Sequence, residues 1–198
     1  MSYGGDLFTK IDMLDIKQAL SNREKRSEES SGYIPAAVLL PIYDRENDLH
    51  LVFIKRTETV NYHKGQISFP GGRYQPEDGS LLETALRESW EEIGLDPKDT
   101  QVLGELDDIA TYTTNFVISP YVAAIPYPYR FQMSPDEVEE VIEVPLPVLL
   151  DKGNYSEEEV YLGDQWIVQH FYRYGDRLIY GATARILKQF LEIAFGAE

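Results

Sequence analysis

Cysteine is absent from this chain of 198 residues. Without thiols the protein can form neither a disulfide framework nor a thiolate metal site, and a reducing cytoplasm is the expected location. Long apolar runs are absent as well, and the first ten residues, MSYGGDLFTK, lack the hydrophobic stretch of a signal peptide. We therefore expect no association with a membrane.

Positive charge is scarce. The sequence has 18 lysine and arginine residues against 34 aspartate and glutamate residues, for a formal net charge of -16. General nucleic-acid binding depends on basic side chains that neutralise phosphates. The charge balance therefore argues against a nucleic-acid partner.

The length of the chain suits one well-filled core. Residues 1–32 are predicted to contain an amphipathic helix and then a polar linker, SNREKRSEESSG. The apolar residues of that helix are Ile11, Leu14, Ile16 and Leu20. Residues 33–198 are predicted to form a single domain.

Within this domain, apolar runs predict strands at 33–43, 49–56, 101–106 and 116–125. A hairpin is predicted from residues 166–174 and 177–180, and a helix over 182–194 closes the chain. These patterns indicate a mixed α/β domain.

A helix is also predicted over residues 81–93. Ser80 can cap its N-terminus, with Glu83 completing a capping box, and Gly94 can adopt the left-handed conformation that ends a helix. A face for burial against a core is predicted from residues at helical spacing, namely Leu82, Leu86, Ser89 and Ile93.

The opposite face of this helix is acidic. Glu88, Glu91 and Glu92 stand at i, i+3 and i+4, so their carboxylates are predicted to converge on one patch of the surface. Arg87, four residues before Glu91, can neutralise and orient one of them. Carboxylate oxygens on a rigid helix suit Mg2+ or Mn2+, which also bind substrate phosphates. The alternative is an ordinary solvated helix end.

Glycines in front of the helix favour the metal site over this alternative. Pro70, Gly71 and Gly72 can expose main-chain carbonyls and amides close to a ligand, because glycine lets other groups approach the backbone. The residues together predict a site for a divalent metal and a diphosphate.

The segment from Gly72 to Leu95 resembles the Nudix box, G-x5-E-x7-R-E-U-x-E-E-x-G-U, where U is a bulky apolar residue. RESWEEIGL, residues 87–95, matches the second half, with Ser89 in place of an apolar residue. Asp78 stands at the position of the first glutamate, and one extra residue separates it from the arginine. The resemblance implies an α/β/α sandwich with a mixed sheet and a metal-dependent pyrophosphohydrolase.

Three features resemble the coenzyme A pyrophosphatase branch of that family. The box is lengthened by one residue, and YGATARIL near the C-terminus is similar to the branch's last helix. The stretch NYHKGQISFPGG is similar to its motif R-x3-G-x3-FPGG, with Asn61 in place of the arginine. The implied reaction converts coenzyme A or an acyl-CoA to 3',5'-ADP and 4'-phosphopantetheine.

The resemblance implies a role for each candidate residue. The metal ligands are the carboxylates of Glu88, Glu91 and Glu92 and the main chain of Gly72, and Arg87 completes the catalytic group. Glu137 is the candidate for a further carboxylate, as metal ligand or general base, and Glu140 or a box glutamate are the alternatives for the base. The candidate substrate contacts are Arg56, His63, Lys64, Gly71, Gly72 and Arg73.

Other functions remain open from the sequence. ADP-ribose, a dinucleoside polyphosphate or a nucleoside triphosphate are alternative substrates within the same family. A sensor domain that binds a nucleotide without hydrolysing it is an alternative of another class, against which the intact glutamates weigh. The expected partner is a small nucleotide diphosphate, and a homodimer is left open.

Overall fold

The computed structural model describes residues 12–28, 31–57, 65–162 and 165–197. The helices in these residues are α1 (Met13–Ser21), α2 (Leu81–Ile93), α3 (Leu146–Leu150) and α4 (Gly181–Phe195). The strands are β1 (Ile34–Arg45), β2 (Asp48–Arg56), β3 (Ile67–Ser68), β4 (Gly71–Arg73), β5 (Gln101–Glu105), β6 (Ile109–Ala110), β7 (Phe116–Ala124), β8 (Val138–Pro145), β9 (Tyr155–Leu162), β10 (Gln165–Tyr174) and β11 (Arg177–Tyr180).

The central sheet is mixed, as the resemblance implied. Its main strand order is β3-β2-β1-β7-β5, and β4, β6 and β8 pair with β1, β7 and β2. Strand β1 runs parallel to β7 and antiparallel to β2 and β4. A smaller antiparallel sheet has the order β11-β10-β9.

Both faces of the central sheet are covered. Along β2, Leu51 and Phe53 belong to a core cluster shared with α1 and α4, whereas Val52 and Ile54 belong to a second cluster shared with α2. A strand buried on both faces has a continuous apolar sequence, which explains the run LVFI. The α/β/α sandwich is confirmed.

The β1–β2 hairpin turns through two residues with positive φ. Glu46 and Asn47 have φ angles of 54° and 76°. Such turns match the right-handed twist of the paired strands. The predicted strands on either side of this turn are both present.

Helix α1 packs against its own domain. Of the apolar residues named for this helix, Ile16 is 0% and Leu20 is 4% exposed, whereas Leu14 is 70% exposed. Ile11 lies outside the described residues. After α1, the polar segment is held by ion pairs of Arg23 and Lys25 with aspartates beyond β5.

Five of the described strands were not predicted, of which β3, β4 and β6 have only two or three residues and β8 and β9 are longer. Strand β8 follows an acidic turn and pairs with β2, and β9 contains three consecutive glutamates, Glu157 to Glu159. Strand β9 is an edge strand of the smaller sheet and these glutamates are exposed, so alternation of apolar and polar residues is weak there. The predicted hairpin at 166–174 and 177–180 and the last helix are confirmed.

Candidate active site

Helix α2 carries most of the candidate residues, and it begins and ends as predicted. Ser80 Oγ accepts a hydrogen bond from the Glu83 amide at 3.2 Å and donates to Glu83 Oε2 at 3.1 Å. Gly94 has a φ of 67° and donates its amide to the Trp90 carbonyl at 2.9 Å. Caps at both ends hold the intervening side chains in register.

The buried face of α2 differs in part from the prediction. Ser89 is buried, but Leu82 and Leu86 are only half-buried, and Glu92 is 0% exposed. The prediction that all three glutamates share a patch of surface is therefore wrong for Glu92. The signal was available, because Glu92 stands at helical spacing from Ser89 and Ala85, both of which are small enough to pack against the sheet.

Arg87 joins three acidic side chains. Its Nε donates to Asp78 Oδ1 at 2.6 Å and its Nη2 donates to Asp78 Oδ2 at 3.0 Å. Its Nη1 donates to Glu88 Oε1 and to Glu91 Oε2, each at 2.8 Å. The contact with Glu91 is the one that the i, i+4 spacing predicts. Arg87 therefore orients two of the box carboxylates at once.

Asp78 is the buried anchor of this arginine. It ends the short turn Pro76–Asp78, and its side chain is 4% exposed. Thr84 Oγ1 and the Gln75 amide also donate to Asp78 Oδ2, at 2.8 and 3.0 Å. The Arg87 guanidinium, assisted by the Gln75 amide, holds the pKa of Asp78 well below its usual range in spite of burial. The extra residue in the box thus leaves the contact with Arg87 intact.

Gly72 lies directly against Glu88. A Cβ atom on Gly72 would stand 2.4 Å from Oε2 of Glu88, much closer than nonbonded atoms approach, so any larger residue would require the Glu88 carboxylate to move. Burial raises the pKa of Glu88, and the hydrogen bond from Arg87 acts in the opposite direction. The main chain of Gly72 and the Glu88 carboxylate are therefore neighbours.

Glu92 is held inside the protein by a cation and an amide. Arg56 Nη1 donates to Glu92 Oε1 and the Gly71 amide donates to Glu92 Oε2, each at 2.9 Å. Burial raises the pKa of Glu92 to about 8, and Arg56 and the Gly71 amide act in the opposite direction. Arg56, predicted as a substrate contact, therefore has Glu92 as its partner in this structure.

The remaining predicted substrate contacts surround the glycine turn. Gly71 has a φ of 151°, and a Cβ atom there would lie 2.3 Å from the Ala37 carbonyl oxygen, so the sheet itself requires glycine. Arg73 ends β4 and its side chain is exposed. Three residues named from the sequence lie outside the described residues: Asn61, His63 and Lys64.

Glu137 lies immediately before β8. Its amide donates to the Ser134 carbonyl at 3.1 Å, and its carbonyl accepts from the Thr57 amide at 3.0 Å. Beyond the effect of burial, the charge of Glu137 adds to the raised pKa of both Glu88 and Glu92. Its carboxylate is therefore within electrostatic reach of the box.

Glu140, the alternative to Glu137, has a different environment. It lies within β8, and its Oε1 accepts a hydrogen bond from Arg177 Nη2 at 2.6 Å. Arg177 begins β11 in the smaller sheet. The Glu140 carboxylate is therefore hydrogen-bonded to the smaller sheet, whereas the Glu137 carboxylate interacts electrostatically with glutamates of α2.

A comparison with protein families accounts for this arrangement. The NUDIX domain model matches residues 32–162. The chain belongs to the Nudix family. As a Nudix hydrolase, it is an enzyme that acts on pyrophosphate bonds.

Curated relatives of this Nudix chain cover most of its length. It is 36% identical over 154 residues to a protein of Photorhabdus laumondii named uncharacterized Nudix hydrolase NudL, with 78% of this chain and 81% of that protein covered. It is 32% identical over 174 residues to the protein of the same name in Escherichia coli, with 84% and 86% covered.

A solved structure shares the Nudix fold. The crystal structure of a MutT/nudix family protein from Enterococcus faecalis matches with a TM-score of 0.59 and 15% sequence identity, covering 97% of this chain and 75% of that one. At this identity the likeness concerns the fold. Among the described helices, none combines the length and apolar composition needed to cross a membrane.

Nudix hydrolases generally use divalent metal ions, and the donor set of this chain fits such ions. In the described parts of the chain, no three carboxylate or imidazole groups are gathered as a ready-made metal site. The hydrogen bonds explain this, since Arg56 and Gly71 hold Glu92 inside while Arg87 holds Glu88 and Glu91. The hard oxygen donors and the glycine cradle at Gly72 nevertheless suit a divalent cation.

Proposed function

We propose that this Nudix hydrolase cleaves the diphosphate of coenzyme A or an acyl-CoA, with Mg2+ or Mn2+, to 3',5'-ADP and 4'-phosphopantetheine. The observation that carries the proposal is the pairing of Asp78 with Arg87 at 2.6 Å across a lengthened box. A lengthened box behind FPGG resembles the coenzyme A branch. The pairing supports the proposal because the longer turn still anchors the arginine on which the box glutamates depend.

The proposed ligands of the metal are Glu88, Glu91, Glu92 and the main chain of Gly72. Divalent ions bound there would neutralise the diphosphate oxygens and lower the pKa of a bound water. Arg87 positions Glu88 and Glu91 through the two bonds from its Nη1 atom. The absence of a side chain at Gly72 lets the Glu88 carboxylate lie directly against the main chain that is the other proposed ligand.

The proposed hydrolysis has Glu137 as general base. Water attacks a phosphorus atom of the diphosphate, the bond from that phosphorus to the bridging oxygen breaks, and the proton of the water passes to a carboxylate. Glu137 suits this task because it lies in electrostatic reach of Glu88 and Glu92, and the hydrogen bonds formed by its main chain fix the turn that carries it. Glu140 is less suited because Arg177 already binds its carboxylate.

Substrate profiling tests the proposal. The full chain is incubated with Mg2+ or Mn2+ and with coenzyme A, acetyl-CoA, ADP-ribose, a dinucleoside polyphosphate and a nucleoside triphosphate, and the products are separated by chromatography. We expect the highest kcat/KM for the coenzyme A compounds, with 3',5'-ADP as a product. Preferred hydrolysis of another nucleotide would contradict the substrate assignment, and tight binding without turnover would indicate a sensor.

Two further expectations from the sequence remain predictions, namely a cytoplasmic location and a division of the chain at residue 32. A homodimer was left open from the sequence. Helix α1 buries Ile16 and Leu20 in its own domain, so a dimer would need another surface. Sedimentation velocity of the full chain measures the oligomeric state directly.

A further inference from the structure

A second cleft lies where the central sheet meets the smaller sheet. Its volume is about 360 Å³, within the range of about 300–1,000 Å³ that is usual for small-ligand sites. One wall comes from the ends of β2 and β3 and from β8, and the other comes from β11. The proposed metal ligands and Glu137 do not line this cleft, whereas Glu140, the less suited candidate for the base, does.

Arg56 connects the cleft to the diphosphate site. Its main-chain amide donates to the Gln66 carbonyl at 3.0 Å, and its carbonyl accepts from the Gly65 amide at 3.1 Å. Gly65 and Gln66 both line the cleft. The guanidinium of the same residue binds Glu92 on the other side of the sheet. The cleft and the diphosphate site therefore share Arg56, whose main chain adjoins the lining of the cleft and whose side chain binds Glu92.

The charges of the cleft do not favour phosphate. Its two cations are each bound to an acid: Lys55 Nζ lies 2.7 Å from Glu139 Oε1, and Arg177 Nη2 lies 2.6 Å from Glu140 Oε1. Asp176 adds a further negative charge to the lining. Because acids balance or outnumber the cations, an anionic group placed here would gain little attraction.

The remaining lining suits a neutral chain with amide groups. Ile67 and Leu178 supply apolar surface, and the side chains of Gln66 and Tyr180 supply an amide and a hydroxyl. Leu178 and Tyr180 are half-buried, so both can contact a ligand without displacing the core. The cleft therefore offers apolar surface and neutral hydrogen-bonding groups beside the charged pairs.

We propose that this cleft binds the uncharged, amide-containing arm of the substrate, the pantetheine portion, while the diphosphate lies at the Nudix box. This inference rests on the proposed function, which supplies a substrate with such an arm. Leu178 is the specificity-determining residue, since it lies on the cleft wall contributed by β11. The nucleotide, which carries the additional phosphate, lies outside the cleft.

The test compares two substrates that differ only in the arm. One is coenzyme A, and the other is 3'-phosphoadenosine 5'-(methyl diphosphate), which keeps the nucleotide and the diphosphate. Filling the cleft with Leu178→Trp should lower kcat/KM for coenzyme A by about tenfold or more, on the scale by which a pocket discriminates small apolar groups. The methyl diphosphate should be hydrolysed by the variant and the wild type at equal kcat/KM.

A matched control separates the cleft from general effects of a large side chain. Val168 is 42% exposed in β10 and does not line the cleft, so Val168→Trp should leave kcat/KM unchanged for both substrates. If circular dichroism shows that Leu178→Trp is unfolded, Leu178→Ala is used instead. This variant should lower kcat/KM for coenzyme A alone. Equal losses for both substrates, or no loss for coenzyme A, would overturn the inference.

The same measurements distinguish failure of this inference from failure of the proposed function. If the wild type hydrolyses neither coenzyme A nor the methyl diphosphate, the proposed function is wrong. If the wild type hydrolyses both with the same kcat/KM, the arm makes no useful contact, and only the inference about the cleft is wrong.

Discussion

Two arginine–carboxylate pairs in this protein have the same contact distance of 2.6 Å and contrasting surroundings. In the Nudix box, the side chains of Asp78 and Arg87 are 4% and 23% exposed. In the second cleft, the side chains of Glu140 and Arg177 are 40% and 34% exposed. Water screens the second pair far more than the first. The box pair is therefore expected to stabilise the fold more than the cleft pair does.

The largest expected effect concerns activity in the box. Glu91→Gln removes one of the three carboxylates that Arg87 binds, and the Glu91 side chain is 52% exposed, so the fold should survive. We expect kcat for the diphosphate substrate to fall by about 10³-fold, the scale on which one electrostatic group stabilises a charged transition state. Glu139→Gln, an exposed acid paired with Lys55, is the control. Near-normal turnover of Glu91→Gln would contradict the metal assignment.

Glu92→Gln is expected to differ from Glu91→Gln, although both should lose activity. Both Glu92 oxygens accept hydrogen bonds, from Arg56 and from the Gly71 amide, whereas a glutamine has one acceptor oxygen, so one donor would lose its partner. The variant should therefore also unfold at a lower temperature than Glu91→Gln, as measured by calorimetry. Equal melting temperatures would show that the burial of Glu92 has no energetic role.

The next effect concerns stability and compares the two pairs directly. Asp78→Asn should lower the free energy of unfolding by about 3 kcal/mol, because it breaks a buried ion pair. The loss is not larger because Arg87 is partly exposed, so that water screens part of the interaction. Urea unfolding at neutral pH measures the change. A loss no larger than that of an exposed pair would remove the distinction between the two regions.

The pH dependence of the same pair has a definite sign. The pKa of Asp78 is lowered in the folded protein, so its ionisation contributes stability above the unfolded pKa of about 4. This contribution is lost as the pH falls from that value towards the lowered folded pKa. The stabilities of the wild type and Asp78→Asn should therefore converge in acid. A constant difference down to low pH would contradict the pKa assignment.

A smaller effect on activity is expected from the glycine cradle. In Gly72→Ala the new methyl group would meet the Glu88 carboxylate at 2.4 Å and displace it. We expect turnover to fall by about 10²-fold, as a misplacement of a reacting group by about 1 Å does. In the control Gly153→Ala the nearest atom is Asp151 Oδ1 at 3.2 Å, on an exposed side chain. Turnover should be unchanged there.

The smallest effect belongs to the exposed pair. Glu140→Gln removes the partner of Arg177, and we expect the free energy of unfolding to change by less than about 1 kcal/mol. Denaturation in urea alongside Asp78→Asn gives the comparison. A loss as large as that of Asp78→Asn would show that the cleft is as rigid as the box.

Local features of the box were predictable from the sequence because they depend on neighbours along the chain. The helix over 81–93, its cap at Ser80, its end at Gly94 and the contact of Arg87 with Glu91 all follow from short spacings. The anchor of Arg87 at Asp78 is nearly local too, although the extra residue hides it from a strict reading of the box. The roles of Glu88, Glu91, Glu92, Gly72 and Glu137 in metal binding and catalysis stay predictions.

Contacts between distant segments were not predictable. The burial of Glu92 depends on Arg56 and Gly71, which arrive from other strands, and the sequence shows only an acidic helix end. Strand β9 was missed because its glutamates give no alternating pattern. The same limit applies to Glu137 and Glu140, which are three residues apart and face different partners.

The sequence by itself determined the local structure of the box, since helix capping, helical spacing and the conformational freedom of glycine act over a few residues. The tertiary structure decided which side chains of the box are buried. It turned Glu92 inward beneath Gly71, gave Arg56 a carboxylate partner and brought β11 against β3 to form the second cleft. The physical reason is that burial and charge pairing depend on which surfaces meet in space, and these surfaces are far apart along the chain.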